Sequence, residues 1–179
     1  MIYFITGNDN KFLEVKSILR NIEPLKLDLS EVQSLDAKEI IQEKLKEAIK
    51  KHSGPFIVED TSLYLDCMDG FPGPLIKWFL KSVGVEGIYH IVKSYDNFNA
   101  EAKTLIGYYN CGKMEFFEGI IKGKIVAPTG PTNFGWDSIF EPEGYQESFQ
   151  QMAKEEKNKI SMRTHAVKKL KSYLDHING

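Results

Sequence analysis

Ile2-Tyr3-Phe4-Ile5-Thr6-Gly7-Asn8-Asp9-Asn10-Lys11-Phe12-Leu13-Glu14-Val15-Lys16-Ser17-Ile18-Leu19 opens with an apolar run, breaks at one glycine, and resumes with Phe12, Val15, Ile18 and Leu19 at helical spacing. The unit reads strand, tight turn, helix. Leu25, Leu27 and Leu29 alternate as a second strand would, and a helix is expected from Asp36 through Ile40, Ile41, Leu45, Ala48 and Ile49. Pro55-Phe56-Ile57-Val58 reads as a buried strand whose C-terminal end delivers Glu59-Asp60-Thr61-Ser62. The loop Asp69-Gly70-Phe71-Pro72-Gly73-Pro74 then opens another helix with proline in its first turn. Glu86 to Tyr95 has helical spacing in Ile88, Ile91 and Val92, and Lys103 to Val126, aromatic and β-branched with interrupting glycines, reads as strands and hairpins. Val167, Leu170, Leu174 and Ile177 define a last helix from Ser161 onward. Strands alternate with helices early and cluster late, so the expected fold class is α/β: a single mixed α/β domain over residues 1–179 with a central sheet.

Composition narrows the functional classes. A chain of 179 residues, 42% hydrophobic and 27% charged, fits one globular domain and excludes disorder, collagen and coiled-coil arrays. Such a chain buries roughly 70% of the surface its unfolded form exposes, so it holds a core without metals or disulfides as staples. Twenty-three Lys plus Arg against twenty-five Asp plus Glu gives a net charge of -2, which lacks the basic excess of a duplex nucleic-acid binder. A polyanionic ligand must therefore meet a local basic cluster. Cys67 and Cys111 alone form neither a zinc motif nor a disulfide scaffold, and a reduced cytosolic chain is the default. The first residues lack a basic leader and turn polar by Asn8, and no apolar run is long enough to cross a bilayer. The expected location is cytoplasmic, without membrane or nucleic-acid partners.

Several segments carry chemistry. Thr6, Gly7, Asn8, Asp9, Asn10 and Lys11 follow a strand and open a helix, where free backbone N–H groups and the positive dipole end favour a phosphate; a helix simply capped by Asn8 or Asp9 is the alternative. Gly107-Tyr108-Tyr109-Asn110-Cys111-Gly112-Lys113 imitates P-loop spacing, but Met114 replaces the hydroxyl residue and Glu115-Phe116-Phe117 continues as strand, so it reads as a hairpin turn. Glu59 and Asp60 side by side disfavour two charges unless a cation neutralises them, and such oxygen ligands suit Mg²⁺ or Mn²⁺. Glu39 is either a third carboxylate or, with Asp36, half of a capping box. Lys77 lies between Ile76 and Trp78 and Lys44 sits within the amphipathic helix after Glu39, unusual neighbourhoods for lysines whose plain reading is solvated surface. Phe134-Gly135-Trp136-Asp137 joins aromatic faces to an acceptor carboxylate, fit either to stack a base and read its edge or to pack a core. Lys157 precedes the last helix, and Arg163 near its start can reinforce an anion site.

Together and in register, Thr6-Gly7-Asn8 through Lys11 and Glu14, Val58-Glu59-Asp60-Thr61, Gly70-Phe71-Pro72-Gly73-Pro74 with Ile76-Lys77-Trp78-Phe79, Phe134-Gly135-Trp136-Asp137, and Glu156-Lys157-Asn158 with Ser161 and Arg163 resemble the inosine triphosphate pyrophosphatase, or Ham1-like, family. The match spans nearly the whole chain. The resemblance implies an elongated, two-lobed α/β protein with a cleft between the lobes, usually a homodimer. It also implies hydrolysis of the deaminated purine nucleotides ITP, dITP and XTP to monophosphate and pyrophosphate, which cleanses the nucleotide pool. Carried over by position, Thr6 to Lys11 cradle the phosphates, and Lys44, Lys77, Lys157 and Arg163 add positive charge, with Lys11 and Lys44 catalytic. Glu39, Glu59 and Asp60 match metal positions, Asp60 being also the general base, with Thr61 beside it. Phe134 stacks on the purine, and Gly135, Trp136 and Asp137 border the base.

One departure bears on specificity. The family reads Ser-His-Arg where this chain has Ser161-Met162-Arg163. Methionine packs against a ring but donates no good hydrogen bond to a purine O6. His165 faces another side of a helix, so it does not substitute. Thr61-Ser62 also departs from the usual Ser-Gly or Thr-Gly. Two rival readings follow: a Maf-like pyrophosphatase with shifted base specificity, and a nucleotide sensor that binds without hydrolysing.

Overall fold

The computed structural model describes residues 1–130 and 135–178. Ten residues from Phe56 to Leu65 form its spine, strand β3, because apolar and β-branched residues run through both faces of the segment. Alternation sends Ile57, Glu59, Thr61 and Leu63 to one side and Phe56, Val58, Asp60 and Ser62 to the other. The first residues of β3 pair in parallel with β1 (Ile2–Ile5), which pairs in parallel with β2 (Ile22–Leu25). Along its whole length β3 pairs antiparallel with β5 (Asn99–Asn110), and β5 with β6 (Lys113–Ile125). Short β4 (Pro72–Gly73) borders the far end of β3, and β7 (Phe140–Pro142) borders β6. The path is β2-β1-β3-β5-β6-β7 among the described residues, a mixed sheet as expected.

Helices cover it unequally. On one face α1 (Asp9–Ile18) and α5 (Met162–Asn178) enclose Phe4, Val15, Ile57, Ile106, Val167 and Leu170. On the other, α2 (Ala37–Lys51) packs Ile41, Leu45 and Ala48 on Phe56, Val58 and Leu105. A separate core gathers Leu63, Leu65, Ile88 and Val92 with Phe140 and Phe149 under α3 (Ile76–Ser94), at the far half of β3. Two lobes thus share one strand, and the polar run Glu59-Asp60-Thr61-Ser62 is the waist between their cores. Helix α4 (Lys154–Ile160) leads into α5.

Several expectations shift. The second strand lies at Ile22–Leu25 rather than Leu25–Leu29, because β2 is the sheet's edge and nothing pairs with its continuation. Leu27 and Leu29 still pack toward the α2 core, and the irregular segment is tied down where Lys51 donates to the Asp28 carbonyl at 2.6 Å. Glu59 and Asp60 lie mid-strand, not at a strand's end, since the long partner β5 extends the ladder to Leu65. They therefore point to opposite faces rather than sharing one. Residues 107–113 are strand and hairpin turn, and Gly107 is a packing glycine: a Cβ there would sit 2.5 Å from Ile41 Cγ2. Helix α3 is longer than expected and changes direction at Gly84.

Gly119 sets the approach of α5 to β6. A Cβ there would lie 1.9 Å from the Met162 carbonyl oxygen and 2.4 Å from the Ala166 nitrogen. Both obstacles are backbone, so Gly119→Ala is expected to push the helix off the sheet and lose about 3 kcal/mol of stability. Urea unfolding measures it, and a midpoint unchanged from the native chain would contradict the packing described.

Candidate active site

At the end of β1 the chain turns into α1 through Thr6, Gly7 and Asn8. The Asn8 amide donates to the Thr6 hydroxyl at 3.1 Å, and the Asn8 side chain accepts the Lys11 amide at 3.1 Å. Both readings of this turn hold at once: Asn8 caps the helix, yet the amides of Asp9 and Asn10 have no acceptor within the helix and are available to an anion. Thr6, Gly7, Asn8 and Lys11 line a cleft of about 520 Å³ together with Lys44, Asp60, Thr61 and Lys77. Asp9 is exposed outside it, and Asn10 borders a second, smaller pocket.

A buried ion network stands behind the cleft. The Glu59 side chain is 2% exposed and meets Lys11 Nζ at 2.7 Å and Arg163 Nε at 2.7 Å. Arg163 Nη2 reaches both Glu59 and the Thr61 hydroxyl at 3.2 Å, and Nη1 reaches Glu14 at 2.5 Å. The Ser161 hydroxyl donates to the other Glu14 oxygen. Burial alone would raise the Glu59 carboxyl, but Arg163 and Lys11 outweigh it and hold the group at about 2. Arg163 is raised in turn: burial works against its charge, and Glu59 and Glu14 overcome that.

Asp60 has the opposite balance. Burial raises it first, Lys44 and Lys11 lower it, and the Glu59 charge raises it again, leaving it above the ordinary aspartate range. Lys44 Nζ lies 3.5 Å from Asp60 and 3.5 Å from Glu31, and Lys77 lies 3.2 Å from Glu31. Burial raises the Glu31 carboxyl, but the two lysines leave it lowered. Glu31 and Asp60 thus present hard oxygen donors on either side of one cation, which fits a divalent ion completed by substrate oxygens and water. Among the described residues no three acids, histidines or cysteines form a ready cage.

The expected metal positions fare differently. Glu39 does not line the cleft: it accepts the Ser34 hydroxyl at 2.6 Å, and Ser34 in turn accepts the Asp36 amide, so the capping reading of Glu39 holds through a serine relay. Glu59 already accepts from three N–H donors, one on Lys11 and two on Arg163. Glu31 is the acid the sequence reading passed over, although it continues the alternation of Leu25, Leu27 and Leu29 toward the interior. In the sequence Glu14 stands only as the end of the Thr6-to-Glu14 motif, with no role attached.

The second pocket, about 270 Å³, is bordered by Asn10, Glu14, Asp137, Phe149, Lys157 and Arg163. Asp137 is buried and raised by that burial, though Lys157 pairs with it and opposes the shift. Trp136 packs edge-on against Phe140, in the core that also holds Met162. Gly135 is exposed at φ 52°. Met162 is buried and not among the groups lining the pocket, and His165 turns to the Ile120 carbonyl at 2.9 Å. Phe134 lies outside the described residues.

A helix N-terminus, three lysines and two cation-facing acids in one cleft, beside a pocket with an acceptor and a donor, define a protein that binds a phosphorylated ligand with a polar ring. The chain belongs to the Ham1 family, whose sequence profile matches residues 2–173. A relative from Schizosaccharomyces pombe named inosine triphosphate pyrophosphatase is 42% identical, over 97% of this chain and 95% of its own. One of the same name from Saccharomyces cerevisiae is 44% identical, with 97% and 95% covered. The fold is that of a HAM1 protein from Coxiella burnetii, with a TM-score of 0.85 at 22% identity and 98% of each chain covered.

Arg163→Met leaves Glu14 and Glu59 buried without their shared counter-ion, and is expected to lose about 3–5 kcal/mol near neutral pH. In the native chain the depressed Glu59 contributes stability above the unfolded value of 4.5, lost as pH falls toward about 2. In the variant Glu59, without Arg163, takes up its proton at a higher pH than in the native chain, so the gap between the two chains narrows from about pH 7 to pH 4 in urea titrations. A gap independent of pH would contradict the network.

Proposed function

We propose that this chain is a Mg²⁺-dependent nucleoside triphosphate pyrophosphohydrolase that splits ITP, dITP and XTP into monophosphate and pyrophosphate, as a cytoplasmic homodimer. Mn²⁺ is the second choice of metal. The observation that carries the reading is the cleft itself, where the α1 N-terminus and Lys11, Lys44 and Lys77 converge on Asp60. The name borne by its fungal relatives supports the substrate class. Among the described residues no helix is long and apolar enough to cross a membrane.

The chemistry follows from the groups present. Asp60, which lines the cleft beside Lys44, takes the proton of the water that attacks the α-phosphorus. Lys11, Lys44 and Lys77 meet the charge developing on the phosphate oxygens and the departing pyrophosphate. When bound, Mg²⁺ held by Glu31 and Asp60 supplies further charge neutralisation at the phosphoryl oxygens. A 6-oxo purine offers an N1–H donor beside an O6 acceptor, the complement of the Asp137 carboxylate and the Lys157 ammonium. Adenine offers the reverse pattern, an N1 acceptor beside an N6 donor, and does not match the two groups as they stand. Met162, packed behind the pocket, takes no part in that choice.

Pyrophosphate release from ITP, XTP, dITP, ATP, GTP and dTTP with Mg²⁺ tests the reading. The deaminated purines are expected to exceed ATP by at least about a hundredfold in kcat/KM. Asp60→Asn is expected to lose at least about a hundredfold in kcat while remaining folded. Equal turnover of ATP and ITP favours the shifted-specificity rival, and tight binding without pyrophosphate release favours the sensor.

A further inference from the structure

Glu59 carries both a side chain and a carbonyl toward the lysines of the cleft, and neither is free. Its Oε1 takes Lys11 Nζ at 2.7 Å and Arg163 Nη2 at 3.2 Å, while Oε2 takes Arg163 Nε at 2.7 Å. Its backbone oxygen accepts Lys44 Nζ at 3.4 Å. A carboxylate has about four lone-pair sites, so three are filled by cations that are themselves held in place. Oε1 is full, so a divalent ion could use it only by evicting Lys11 or Arg163, and the one site left on Oε2 lies beside Arg163 Nε on a side chain that is 2% exposed. Arg163, 3% exposed, borders the second pocket, but its Nε, Nη1 and Nη2 are committed to Glu59, Glu14 and Thr61. It touches the cleft's lining through Glu59 and Thr61 and does not line the cleft itself. Lys11, by contrast, is 24% exposed, and the cleft is lined by it.

From this geometry we infer that Glu59 is a positioning residue: clamped by Arg163, its carboxylate aims the Lys11 ammonium into the cleft, and it is not a metal ligand. The inference rests on the phosphate-binding reading of that cleft. A lysine on a flexible four-carbon stem carries rotamer entropy that must be surrendered when it grips a phosphate. Pairing with a fixed carboxylate surrenders it beforehand. The clamp also has a defined hierarchy. Glu14 and Glu59 hold Arg163 from two elements, Arg163 holds Glu59 through two nitrogens, and of the two cations on the Glu59 carboxylate only Lys11 lines the cleft, which Glu59 also borders with a side chain 2% exposed.

The test is a double-mutant cycle in kcat/KM for ITP at saturating Mg²⁺, with Mn²⁺ binding to the free protein read by electron paramagnetic resonance. Glu59→Gln and Lys11→Met are each expected to lower kcat/KM at least about tenfold, and the double variant to fall no more than about threefold below Lys11→Met alone. Glu59→Gln with Lys77→Met, whose partner is Glu31, is expected to multiply instead. Mn²⁺ affinity is expected to change by less than about threefold in Glu59→Gln and to fall at least about tenfold in Asp60→Asn. If Glu59→Gln does not fold, Glu59→Asp keeps the charge, withdraws it by one methylene, and runs the same cycle. Multiplicative losses with Lys11→Met, or loss of Mn²⁺ binding in the Glu59 variant, overturn the assignment while leaving the pyrophosphatase reading intact. A native chain that releases no pyrophosphate from any nucleotide overturns both.

Discussion

One guanidinium, that of Arg163, lies between two buried carboxylates contributed by α1 and β3, and the rest of the molecule is arranged so that it can. Its partners Glu14 and Glu59 are 149 and 104 positions away in the chain. Removing such charges from water is expensive, and a buried pair does not add stability merely by existing. What it does is exclude other arrangements: any shift of α5 against β3, or of α1 against α5, leaves an ionised group unpaired in the interior. The close passage of α5 over Gly119 serves the same requirement, because it brings Arg163 to the depth at which Glu59 lies. The waist between the two cores is therefore rigid where the strand is polar.

That rigidity is useful because the cleft is assembled from side chains that would otherwise be mobile. Lys11 rests on Glu59, Lys44 on Glu31 and Asp60, and Lys77 on Glu31. The cleft is locally rich in cations without being a basic surface, which is how a chain of net charge -2 accommodates a polyanion. On the proposed reading, a triphosphate arriving with its metal would exchange one set of counter-charges for another, with the lysines available to phosphate oxygens and Glu31 and Asp60 the residues that would hold the metal.

Much of this was legible in the sequence, and the omissions have physical reasons. The β1-α1 unit was readable because apolar spacing and a cap are local, and the β5-β6 hairpin because aromatic and β-branched runs surround a Cys111-Gly112 turn. The length of β3 was not, since a strand ends where its partner ends, and β5 lies more than thirty positions away. Reading Glu59 and Asp60 as side-by-side carboxylates followed from that error; mid-strand, neighbours oppose each other. Glu39 and Glu31 exchanged importance because the first caps its own helix while the second is brought to Lys44 and Lys77 by tertiary packing alone. Met162 looked like a specificity residue from its place between Ser161 and Arg163, but the turn into α5 sends it into the core.

The central claim is that water attacks the α-phosphorus of a bound triphosphate at Asp60. Hydrolysis of ITP in ¹⁸O-labelled water, with the products separated and weighed by mass spectrometry, tests it most directly. The account predicts that the label appears in the monophosphate and that the pyrophosphate is unlabelled. Label in the pyrophosphate, or orthophosphate as the first product, would contradict it.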